Sequence, residues 1–88
     1  MAKFTVQVFR EGKTYVAHNP ELGVASCART VDKAKANLRD AMTGFLKSAA
    51  AHGTLAPILE AAGYTYAKRK REWVSPDLLL TDRLSVPV

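Results

Sequence analysis

Val24-Ala25-Ser26-Cys27-Ala28-Arg29-Thr30-Val31-Asp32-Lys33-Ala34-Lys35-Ala36-Asn37-Leu38 is the stretch in which the chain changes its period. Up to Ala28 it reads as a short strand. Beyond Thr30 the apolar residues Val31, Ala34, Leu38, Ala41, Met42, Phe45 and Ala49 recur at three- and four-residue steps. On a helix they fall on one stripe, with Asp32, Lys33, Asn37, Asp40 and Lys47 on the opposite side. Thr30 stands at the junction, and its hydroxyl can accept from the free N–H groups that open a helix. The spacing predicts a helix to about residue 51, ended by His52-Gly53. Gly44 lies off the apolar stripe, where glycine costs roughly 1 kcal/mol against alanine.

Towards the N-terminus, Phe4, Val6 and Val8 alternate with Thr5, Gln7 and Phe9, a period of two that predicts a strand over Lys3 to Arg10. Glu11-Gly12-Lys13 makes a turn, and Tyr15 to His18 returns as a second strand. Asn19-Pro20 stops it, because proline has no N–H for the ladder. Leu22 to Ala28 is the third strand, with a bulge expected at Gly23. Towards the C-terminus, Thr54 is the expected cap of a short helix that carries Pro57 in its first turn and ends at Gly63. Tyr64 to Ala67 reads as a fourth strand and Ser75-Pro76-Asp77 as a turn. Leu78 to Leu80 and Leu84 to Val88 read as extended. The expected class is α+β: a three-stranded antiparallel meander, a long helix, a short helix and C-terminal strands (β-β-β-α-α-β).

Eighty-eight residues allow one domain, spanning 1–88, with a modest core. Chains of this size often gain stability by association. Cys27 is the only cysteine, which excludes an intramolecular disulfide and suits a reducing compartment. No apolar run approaches a bilayer span, and the N-terminus lacks the apolar core of a signal peptide. A cytoplasmic protein without membrane contact is expected. The net charge is +5, of which Lys68, Arg69, Lys70, Arg71 and Glu72 supply +3. The basic field is therefore local.

No zinc, calcium or phosphate-cradling spacing occurs, so no cofactor is expected. Ser26, Cys27 and His18 come close across the second hairpin, and the sharp reading is a Cys–His nucleophile. The plainer reading is a small buried thiol beside a strand-end histidine, and on it the chain is not an enzyme. Lys68, Arg69, Lys70 and Arg71, beside Tyr64, Tyr66 and Trp73, are the candidate nucleic-acid contacts. The alternative there is a solvated loop between strands, its aromatics turned into the core. Leu78, Leu79, Leu80, Leu84 and Val86 are the candidate interface residues. They either add a strand to another subunit or form a strand in the chain's own sheet.

Tyr15-Val16-Ala17-His18-Asn19-Pro20-Glu21-Leu22-Gly23, followed by Ala28 to Leu38, resembles the HicB antitoxin family. That family shows a "YxAxxPEL" hairpin and then a "GxTxxEAxxNLxEA" helix start. Tyr15, Ala17, Pro20, Glu21, Leu22, Thr30, Ala34, Asn37, Leu38 and Ala41 fit, whereas Ala28-Arg29 and Lys33 depart from the pattern. Gly53-Thr54-Leu55, Gly63-Tyr64 and Trp73 to Pro76 look like short HicB-like members that lack an appended DNA-binding domain. The resemblance implies a bacterial protein with a partial RNase H-like fold that has lost its catalytic acids. The first expected strand, Lys3 to Arg10, indeed carries no carboxylate to hold a metal ion. The resemblance also implies a homo-oligomer, dimer or tetramer, that binds and neutralises a small RNA-cleaving toxin of the HicA type, or an orphan relative with another protein partner.

Overall fold

A computed structural model describes residues 2–88. Its elements run β1 (Gln7–Glu11), β2 (Thr14–Asn19), β3 (Val24–Ala28), α1 (Val31–Ala51), α2 (Leu55–Ala61), β4 (Thr65–Ala67) and β5 (Glu72–Val74). β1, β2 and β3 form one antiparallel sheet in that order, and β4 and β5 form a separate hairpin. The α+β class and the element order through the second helix follow the sequence reading. The fourth strand also lies where expected, as β4, and pairs with β5 across the basic run; the segments Leu78 to Leu80 and Leu84 to Val88, expected to be extended, form no strand.

Turns are made where the chain supplies glycine. Gly12 (φ 60°) closes the β1–β2 hairpin, pairing Glu11 with Thr14. Gly23 (φ 70°) is a turn rather than a bulge: its N–H donates to the Asn19 carbonyl, and the β2–β3 register runs unbroken from Asn19↔Val24 to Tyr15↔Ala28. β3 therefore starts at Val24, not Leu22.

β1 is also shorter than its alternation predicts, starting at Gln7 rather than near Lys3. The cause is local. Pro20 has no N–H and turns β2 away, so side chains take over the ladder. The Thr5 N–H donates to Glu21 Oε1 at 2.8 Å, and the Thr5 carbonyl accepts from Asn19 Nδ2 at 2.8 Å. Asn19 is fully buried; Nδ2 also donates to Glu21 Oε1 at 2.6 Å, and Oδ1 accepts from the Leu22 N–H at 2.8 Å. At its other end β1 takes in Glu11, an exposed carboxylate beside the turn.

α1 starts as predicted, with the Thr30 hydroxyl accepting from the Lys33 N–H at 3.1 Å. It ends at His52 with Gly53 left-handed: the Gly53 N–H donates to Ala50 and the Thr54 N–H to Ala49, a Schellman closure. The Thr54 hydroxyl bonds back to the Ala49 carbonyl at 3.3 Å and so does not cap α2. α2 closes in the same way through Gly63, and Tyr64 donates its N–H to Leu59. Leu59 and Tyr64 are both buried, the apolar contact that accompanies this closure. Tyr64 is thus a helix-end anchor instead of the first residue of β4. Its hydroxyl donates to the Lys3 carbonyl at 2.6 Å, and its ring packs 5.1 Å from Phe4.

Ala17, Ala34, Leu38 and Met42 make the core, supported by Phe4, Tyr15, Leu22, Val24 and Ala28. Val31 and Phe45, expected on the buried stripe, are about two-fifths exposed. A 21-residue helix is about 32 Å long, whereas strands of five or six residues span about 17–20 Å. The helix overhangs the sheet.

Candidate protein-binding surface

α1 packs on β3 and β2. Across the sheet, Val8, Ala17 and Ser26 share the helix side, and Phe9, Val16 and Cys27 share the outer side. Because the helix sits over β3 and β2, the helix side of β1 is left open: Val6 is 42% and Val8 38% exposed. Between residues 2–6, which lead into β1, and α1 runs an open groove of about 770 Å³, lined by Phe4, Val6, Leu38, Met42, Leu46 and Leu55. Trp73 lies at its edge, and Lys35, Arg39 and Lys47 form a basic rim. The groove thus combines an apolar floor with cations above it, a surface suited to apolar side chains flanked by acids. Leu46 and Leu55 were not singled out in the sequence. Leu46 sits one step off the core stripe, and that offset is its only signal.

The far edge of β1 is also open, since β2 is its sole partner in the sheet. Thr5 turns its N–H and carbonyl towards Glu21 and Asn19, on the β2 side. Alternation then directs the backbone groups of Val6, Val8 and Arg10 outwards, as an unpaired template for another strand.

The expected interface residues lie beyond β5. Pro76 packs on Gly63, with a glycine Cβ position 3.5 Å from its ring; residues 75–78 lie by Lys3, Phe4, Thr5 and Glu21, and no strand forms after β5. The reading of residues 78–88 as a strand of the chain's own sheet is therefore overturned. Leu78, Leu79, Leu80, Leu84 and Val86 are all exposed, Leu79 to 92% and Leu84 to 89%.

Lys68 to Arg71 form the four-residue tip of the β4–β5 hairpin, with Arg71 at φ 53° and all four side chains exposed. Their aromatic neighbours divide. Tyr64 is buried, as the solvated-loop reading expects, but Tyr66 is 48% exposed and packs 5.2 Å from the Trp73 ring. Cys27 is exposed, contrary to the expectation of a buried thiol, because its register opposite Val16 puts it on the uncovered outer face. His18 pairs with Ala25, two positions along from the Val16–Cys27 pair and on the same outer face. Among the described residues, no group of three His, Cys, Asp or Glu side chains is gathered to hold a metal ion. None of the described helices is long and apolar enough to cross a membrane.

Among the described residues, two ionisable groups are shifted, and both belong to the clamp at the start of β1. Burial alone would raise the Glu21 carboxyl, but hydrogen bonds from Thr5 and Asn19 outweigh it and hold it below the ordinary carboxylate value. Burial, helped by the Glu21 charge, pushes the Tyr64 phenol up to about 12.

No family model, curated protein or solved structure matches this chain.

Proposed function

We propose that this chain is a protein-binding module of the HicB-like antitoxin kind, which self-associates and holds a second protein in the bacterial cytoplasm rather than catalysing a reaction. The open apolar groove beside β1 carries the reading. Lone domains rarely leave such a surface uncovered, and an apolar floor with a polar rim is the anatomy of an interface. The resemblance supplies the partner to test first, a small RNA-cleaving toxin of the HicA type. Charge sets a condition on it. Lys35, Arg39 and Lys47 repel a basic partner unless that partner presents acids at the groove. An orphan relative with an acidic partner meets the condition more easily.

The test is co-expression with the product of the adjoining short reading frame. Co-purification together with relief of growth arrest supports the toxin reading. Unrelieved arrest with no complex rejects it.

The hairpin tip favours one other reading. Four exposed cations beside the half-exposed Tyr66 offer phosphate contacts and a stacking surface for single-stranded nucleic acid. Affinity measured against salt checks this: with four phosphate contacts on a single strand, log K should fall against log salt with a slope of about −3. Binding that survives neutralisation of all four residues rejects it.

A further inference from the structure

We propose that the groove beside β1 receives residues 78–86 of a second copy of this chain, laid as a fourth strand on the open edge of β1, with the exchange reciprocal. The proposal rests on the protein-binding reading and names its first partner. Three observations carry it.

The tail has the pattern of a strand with one apolar face. Leu78, Leu80, Leu84, Val86 and Val88 fall on even positions, interrupted by Asp82, while the odd positions are Leu79, Thr81, Arg83, Ser85 and Pro87, three of the five polar. A strand on the edge of β1 directs alternate side chains to the helix side, where Val6, Leu46 and Met42 line the groove.

The lengths agree. From Lys35 to Ala50 the groove follows α1 for about 22 Å at 1.5 Å per residue. From Leu78 to Val86 an extended chain covers about 26 Å at about 3.3 Å per residue.

The charges agree as well. Residues 75–88 carry Asp77, Asp82 and Arg83, a net charge of −1 in a chain of +5. Asp82 is the one polar residue on the groove-facing side, and the rim it meets is Lys35, Arg39 and Lys47.

The second copy is chosen over the chain's own tail because the lone chain holds its tail outside. Leu80 is 75% and Leu84 89% exposed, and the groove is open. A two-fold exchange covers both tails and both grooves at once.

The experiment measures mass in solution by light scattering for four samples of the full chain. The wild type should run at twice its 9.6 kDa. A tail variant (Leu80→Asp with Leu84→Asp) and a groove variant (Ala50→Glu, at an exposed helix position) should each run as monomers with the native circular dichroism spectrum. The tail variant should dimerise about 100-fold more weakly, as expected when two central anchors are lost. Mixing the two variants should restore a dimer, since one intact tail can enter one intact groove. A monomeric wild type, a dimer that survives either variant, or a mixture that stays monomeric would each overturn the exchange. These outcomes are separate from the co-expression result, so the two proposals can fail independently.

Discussion

Replacing Asn19 with alanine tests the clamp that stands in for the missing ladder at the start of β1. The amide makes three hydrogen bonds at a site with no solvent exposure: to the Thr5 carbonyl, to Glu21 and from the Leu22 N–H. Truncation strands two backbone groups and removes one donor from a carboxylate. Each buried group left without a partner costs about 1–3 kcal/mol. Thr5, Glu21 and Leu22 are only partly covered and regain some water, so the expected loss is about 3–4 kcal/mol. An 88-residue domain has about 4–13 kcal/mol in all, so Asn19→Ala removes a quarter or more of it. The expected fall in melting temperature is about 12–32 °C.

Asn19→Asp is the sharper variant. It replaces a donor 2.6 Å from Glu21 Oε1 with a second carboxylate. Two like charges in one site raise the pKa of one of them. This variant should be less stable than Asn19→Ala at pH 7 and recover part of the deficit as the pH falls towards 4. The wild type should show the opposite limb. Its Glu21 is held below the ordinary value, so the contribution is complete above that value and is lost as the pH falls through the depressed one. The assay is urea unfolding followed by circular dichroism from pH 3 to 8, at one fixed protein concentration because association shifts apparent stability. A loss below about 1 kcal/mol for Asn19→Ala with the fold intact, or an Asn19→Asp variant no more sensitive to pH than wild type, would refute the clamp.

Tyr64→Phe should lower stability by about 1 kcal/mol by stranding the Lys3 carbonyl. Since the Tyr64 phenol rises from 10.0 to about 12 on folding, wild-type stability is complete below pH 10 and declines from pH 10 to 12; the variant should lack that decline in alkaline unfolding curves. Gly44→Ala should stabilise the chain by up to about 1 kcal/mol in thermal melts, because the position is exposed mid-helix and an added Cβ meets no atom within 4 Å. Replacing Lys68, Arg69 and Lys70 with serine should change unfolding free energy by no more than about 0.5 kcal/mol, as these are exposed turn side chains. Any larger loss on urea unfolding assigns them a structural role.

Local signals in the sequence were good guides wherever the neighbouring atoms are local too. The Thr30 cap, the Gly12 turn and the His52-Gly53 helix end each depend on a few adjacent residues, and each sits where the spacing predicts. Errors arose where distant groups compete. Thr5 reads as a ladder residue by alternation, but side chains fourteen and sixteen positions away take its backbone bonds. Thr54 reads as a cap, yet its hydroxyl is claimed by the end of the preceding helix. Tyr64 reads as a strand residue, yet it is anchored to Lys3 across the whole chain.

The candidate site follows the same division. A period of two or of 3.6 tells which apolar residues need cover, but not which segment supplies it. The α1 stripe was legible, and its Ala34, Leu38 and Met42 found the sheet. Val6 and Val8 alternate just as legibly and found no helix above them, because α1 settles on β3 and β2. The tail alternates too and found no strand beside it. Each is a half-buried pattern with its burial missing, and the tail matches the groove in length and charge. A lone chain that leaves both open loses the free energy of covering either, about 25 cal/mol for every Å² of apolar surface. Pairing them between two copies needs no new surface. It uses the apolar positions that the sequence already sets in register and that the monomer fold leaves in water.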